Sequence, residues 1–186
     1  LDPSGIGIEM EAGKPGWYDA LNGLPGLFGS SVADSFELLR LLDFIIRTLK
    51  EYPHKTLRLP VEVLQLLRDL VTLVREYGNS TSENRDFDFW NKISILREKY
   101  REETKFGFIG DEREISALTT SGELEALAKK LRNALDKAVE ENDHLMPTYF
   151  YYDVENYVVE KVGSEDIVKV LKFSRKNMPL FLEGIV

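Results

Sequence analysis

Cysteine is absent from all 186 residues, which excludes disulfide frameworks and thiolate metal sites and fits a reducing cytoplasm. Histidine is nearly absent: His54 and His144 are too few and too distant in sequence to suggest a zinc site. No apolar run approaches the roughly 18 residues that span a bilayer, and no basic segment leads into an apolar one at the N-terminus. Positive charge is in deficit, with 24 Lys and Arg against 32 Asp and Glu and a formal net charge of −8. Such a chain repels phosphate backbones and anionic lipid, so neither nucleic acid nor membrane is expected as a partner, whereas a neutral, hydroxyl-rich ligand is compatible. The phosphate-cradling Gly-x-x-x-x-Gly-Lys-Ser/Thr pattern and the dinucleotide fingerprint are missing, as are internal repeats and low-complexity tracts. A soluble, cytoplasmic protein without metal or cofactor is expected.

Glycine is scarce over most of the chain and concentrated at its start. Of the 13 glycines, Gly5, Gly7, Gly13, Gly16, Gly23, Gly26 and Gly29 all precede residue 30. A backbone so written turns sharply or approaches something closely. Within it stand Trp17, Asp19 and Asn22, with Glu9 and Glu11 just upstream. On an extended reading of Gly5–Glu11, Ile6, Ile8 and Met10 share one face and Glu9 and Glu11 the other.

The run Trp17-Tyr18-Asp19-Ala20-Leu21-Asn22 resembles the acid-bearing loop of the (α/α)6-barrel glycoside hydrolases and phosphorylases, the group of cellobiose-phosphorylase-like, trehalase-like and amylo-1,6-glucosidase-like enzymes. The resemblance covers about residues 9–29. It implies Asp19 as the general acid that protonates the glycosidic oxygen, Trp17 as a wall on which a sugar stacks and Asn22 as a hydroxyl ligand or support; Glu11, the upstream carboxylate nearest this run, is expected to line the same subsite. The phosphorylase form of the motif resembles Asp-Trp-Asn-Asp-Gly, whereas here Gly16 precedes the tryptophan, Tyr18 replaces the asparagine and Ala20 replaces the glycine. Hydrolysis and phosphorolysis therefore both stay open, with an oligosaccharide as substrate and phosphate as a second partner in the latter case.

The helical pattern of the remainder is compatible with that barrel. Ser31-Val32-Ala33-Asp34 fits a capping box and opens a helix to about Glu51, apolar over most of its circumference and expected to be buried on more than one side. Leu59-Pro60-Val61 opens a second helix that Gly78-Asn79 closes, and a third is expected over about Arg85–Lys105 with Phe89, Ile93, Leu96 and Tyr100 inward. Thr120-Ser121-Gly122-Glu123 is read as the cap of a fourth, over about 122–142. The stretch from Phe106 to Thr119 reads as irregular. After His144, Thr148–Val154 and Tyr157–Lys161 read as a hairpin turning at Glu155-Asn156, with Ile167–Phe173 as a third strand.

The expected fold is mainly α, about half of an (α/α)6-type helical toroid with a small β excursion near the C-terminus. A full ring would need on the order of 290 residues from helices of about 18 and connections of about 6. The chain is accordingly expected to be a single domain over 1–186, a fragment of a larger catalytic domain that is inactive alone. The alternative is a non-catalytic α-helical interaction module whose Gly-rich stretch and Tyr149–Tyr157 region bind a partner chain.

Overall fold

The structure is a computed structural model, and it describes residues 1–9, 29–163 and 165–177. The chain runs β1 (Ile8–Glu9), β2 (Gly29–Ser31), α1 (Val32–Glu51), β3 (Thr56–Pro60), α2 (Val61–Asn79), α3 (Arg85–Thr104), β4 (Glu112–Ser116), α4 (Ala117–Glu140), β5 (Tyr149–Val162) and β6 (Glu165–Asn177). Two antiparallel sheets form: β1-β2-β5-β6, and the pair β3-β4.

This architecture corrects the toroid. The described residues make a mixed helix-and-sheet fold and not half of a helical ring. The cause is the aromatic and β-branched run after Thr148, which pairs along two strands of 14 and 13 residues and is far more than an excursion. The second sheet adds to it by joining segments far apart in sequence: β3 precedes α2, β4 precedes α4, and Leu57 lies opposite Ile115. Arg58 and Glu112 pair across these strands at 2.8 Å.

Each helix starts where local chemistry lets it. Ser31 caps α1 by accepting from Asp34 N at 3.1 Å, as expected from the capping box. α2 begins directly after Pro60, whose fixed φ feeds the first turn. α4 begins five residues before its expected start: Ser116, not Thr120 or Ser121, supplies the cap by accepting from Thr119 N at 3.0 Å. Thr120 Oγ1 and Ser121 Oγ instead donate back to the Ser116 and Leu118 carbonyls inside the helix.

α1 packs chiefly against α4, and α2 against α3 and α4. The Asp43–Arg132 and Lys50–Glu125 pairs join the first two. α1 differs from expectation: of its residues Val32, Ser35 and Ile46 are buried, while Leu41 and Phe44 are more than half exposed. The buried cluster Ile6, Val32, Leu135, Ala138, Phe150 and Tyr152, flanked by Leu39, Met146 and Phe173, lies where α1, α4, β5 and the N-terminal turn converge.

Candidate functional site

Asp19, Glu11, Trp17 and Asn22 all lie outside the described residues. What the structure describes is the mount from which residues 10–28 depart and to which they return. β1 and β2 pair antiparallel, Ile8 opposite Ser31 and Glu9 opposite Ser30, so the two ends of the stretch are neighbours. β2 in turn pairs with β5, Ser30 opposite Phe150, which ties the mount to the core.

Sequence explains why the N-terminal approach is rigid. Asp2 is fully buried, and its carboxylate accepts from Ser4 N and Ile6 N at 3.0 Å and from Gly7 N at 2.9 Å. Three backbone donors satisfy a buried charge that would otherwise be costly. The turn closes with Asp2 N donating to Gly7 O at 2.8 Å. Gly5 sits at φ +72°, and a Cβ there would overlap the carboxylate of Asp86. Glycine is required at this position for both reasons.

Glu9 then meets α3. Its Oε2 accepts from Trp90 Nε1 at 2.7 Å, and its Oε1 lies 3.2 Å from Arg97. The side chain is only 14% exposed. Trp90 is itself wedged between Phe87 and Phe173, at ring separations of 5.4 and 5.5 Å, and Phe173 touches Tyr152 edge-on at 5.9 Å. A carboxylate with two donors, backed by an aromatic wall, thus fixes the strand at the point where residues 10–28 begin. Trp90 and Arg97 were not singled out from sequence. The available signal was a tryptophan standing off the Phe89–Ile93–Leu96–Tyr100 stripe of α3, where an indole has no reason to sit unless its N–H has a partner.

A second group of charges holds the turn from the other side. Lys137 Nζ donates to Ser4 O and to Asp86 Oδ2, both at 2.7 Å, and Tyr77 OH donates to Asp86 Oδ1 at 2.8 Å. Burial pushes the Asp86 carboxyl upward, but the hydrogen bonds from Lys137 and Tyr77 and the charges of Lys137 and Lys130 outweigh it and hold the group below the usual carboxylate range. Asp86 is therefore a counter-ion and not a proton donor at neutral pH. Burial raises the Tyr77 phenol to about 12, helped by its bond to Asp86. Lys130, with a side chain 7% exposed, lies over the Tyr77 ring at 3.8 Å and the Phe89 ring at 5.2 Å, and 3.7 Å from Asp86 Oδ1. Burial lowers its ammonium to about 8.

Two recesses adjoin these groups. One, of about 380 Å³, is polar and bordered by Ser4, Asp86, Phe87, Lys137, Glu141 and Arg175. The other, of about 250 Å³, is apolar, lying between α1, α2, α3 and α4 with Leu42, Leu70, Ile93, Leu127 and Lys130 among its walls.

Tyr149 and Tyr152 are buried at 6% exposure and pack the core, whereas Tyr157 is exposed on the hairpin. His54 and His144 stand apart on the surface, and among the described residues no group of three His, Cys, Asp or Glu side chains is placed to hold a metal ion. No described helix is long and apolar enough to cross a membrane. No protein-family model matches the chain, and no curated protein matches it significantly.

Proposed function

We propose that this chain carries the acid-bearing segment of an enzyme that cleaves glycosidic bonds, with Asp19 as general acid and Glu11, Trp17 and Asn22 lining the sugar subsite. The observation that carries the proposal is the run Trp17-Tyr18-Asp19-Ala20-Leu21-Asn22 set between glycines, in a stretch whose two ends are held side by side on β1 and β2. A general acid acts only if it is held against the departing oxygen to within a fraction of an ångström. The pinned mount supports that requirement: Glu9 is fixed by Trp90 and Arg97, and the preceding turn by Asp2, Asp86 and Lys137.

In this mechanism the Asp19 carboxyl gives its proton to the glycosidic oxygen as the bond to the anomeric carbon breaks. The charge growing on the sugar ring is met by a second carboxylate or by phosphate, supplied by the rest of the catalytic domain. Trp17 offers a flat apolar face to the sugar ring, and Asn22 and Glu11 bond its hydroxyls. The substrate is an oligosaccharide in the cytoplasm, a location that the absence of cysteine favours.

The test is turnover of a disaccharide panel by the intact protein, with and without phosphate, for the wild type and Asp19→Asn. Turnover that depends on Asp19 supports the proposal, and its dependence on phosphate separates phosphorolysis from hydrolysis. Turnover indifferent to Asp19, or none on any sugar, overturns it. The interaction-module reading is favoured by a different observation, the solvent-exposed apolar residues of the β5–β6 hairpin.

A further inference from the structure

Lys130 is a buried charge that the glycosidic chemistry leaves without a role. Its side chain is 7% exposed, and Asp86 Oδ1, the carboxylate oxygen paired with it, stands at 3.7 Å, beyond hydrogen-bond distance. Asp86 is engaged elsewhere: Tyr77 OH donates to Oδ1 at 2.8 Å and Lys137 Nζ to Oδ2 at 2.7 Å. Among the described residues none accepts a hydrogen bond from the Lys130 ammonium, which rests on the faces of the Tyr77 and Phe89 rings. A buried ammonium with unused donors is costly unless something accepts from them.

The ammonium stands at one end of the apolar cavity of about 250 Å³ between the four helices. Phe89, whose ring centre lies 5.2 Å from Nζ, is one of its walls, and Leu42, Leu70, Ile93 and Leu127 bring one side chain from each helix. Among the described residues that wall the cavity, Lys130 alone has a charged or polar side chain. Leu38 of α1, also on the wall, is 38% exposed, so the cavity is reached from solvent on that side. A buried water is held by about three polar partners, and walls of this kind do not supply them. Solvent is therefore a poor source of the missing acceptors.

These features select a ligand with an anionic head and an apolar body. A carboxylate set against Lys130 accepts from the unused donors in charge-assisted bonds, which are about twice as strong as neutral ones. Its tail covers apolar walls that water wets poorly. Size bounds the tail: a cavity of about 150 Å³ takes a benzene ring, so about 250 Å³ takes a ring with a short chain, or an alkyl chain of similar bulk. A sugar is not matched, because its hydroxyls need partners that these walls lack. The net charge of −8 is screened beyond about 8 Å at physiological ionic strength, so the nearest cation decides.

We propose that this four-helix cavity binds a small amphipathic monocarboxylate, its carboxylate on Lys130 and its aryl or alkyl tail among Leu42, Leu70, Ile93 and Leu127. The site does not depend on the glycosidic reading.

Calorimetric titration of the full chain with three probes of one shape tests it: hydrocinnamate, its primary amide, and phenylpropylammonium. Hydrocinnamate should bind saturably with Kd below about 1 mM, the amide about tenfold or more weakly, and the ammonium compound not at all. Lys130→Met should bring the acid and the amide to equal affinity, and Ile93→Trp, which fills the cavity from α3, should abolish binding of both. The probe series on the wild-type chain reads the charge preference by itself, so it decides the matter even where a variant does not fold. No saturable binding of hydrocinnamate, an amide that binds as tightly as the acid, a preference for the acid that survives Lys130→Met, or binding unaffected by Ile93→Trp would overturn the proposal.

Discussion

Lys130 combines a charge with near-complete burial, and its counter-ion Asp86 already accepts from Lys137 and Tyr77. The folded lysine titrates near 8 against an ordinary 10.5, so between those values the unfolded chain binds more protons and stability climbs with pH. Tyr77 acts in the opposite sense: with a folded value of about 12 against 10.0, it lowers stability as pH rises above about 10. Thermal melts between pH 7 and 11 should therefore peak near pH 10. Lys130→Met should remove the climb between about pH 8 and pH 10.5. An unchanged pH slope would show that Lys130 does not carry it. Gly5→Ala needs a left-handed backbone and displaces Asp86, which Tyr77 and Lys137 hold in place, so a loss of about 2 kcal/mol or more in urea unfolding is expected.

Among the elements, helices were legible where a cap stood at the right spacing from an apolar stripe. α1, α2 and α3 begin and end within about two residues of where capping, Pro60 and Gly78 place them. α4 was misplaced because Thr120, Ser121 and Glu123 mimic a cap, while Ser116 precedes residues with no apolar period. Ser116→Ala should destabilise the protein by about 0.5–2 kcal/mol in chemical denaturation, and the conservative Ser116→Asp should restore most of the loss. The strands were less legible. Glu155-Asn156 has turn chemistry, but the structure uses it for bulges within one long strand, and the turn falls at Gly163. β3 and β4 escaped notice because each has five residues and its partner lies beyond a helix pair. Nothing local in Glu112-Arg113-Glu114-Ile115-Ser116 announces that Thr56–Pro60 will lie beside it.

For the molecule as a whole, helix patterning alone could not settle the architecture. The same amphipathic segments suit a ring or a layer against a sheet, and the choice is made by long-range pairings such as Ser30 with Phe150, which no local period encodes. The site divides in the same way. The Trp17–Asn22 run was visible as a run, and the pairing of the strands on either side of it was not, because Glu9, Trp90 and Arg97 come together only through the packing of α3 beside β1.

The proposed proton transfer from Asp19 to a departing glycosidic oxygen is tested most directly by its leaving-group dependence. The measurement is kcat of wild type and Asp19→Asn on a disaccharide and on an aryl glycoside whose phenol is acidic enough to leave unprotonated. On the disaccharide Asp19→Asn should lose roughly 10²–10⁴-fold, the usual worth of a general acid, while the activated glycoside should be turned over at close to the wild-type rate. Equal losses on both substrates, or no loss on either, would contradict the assignment.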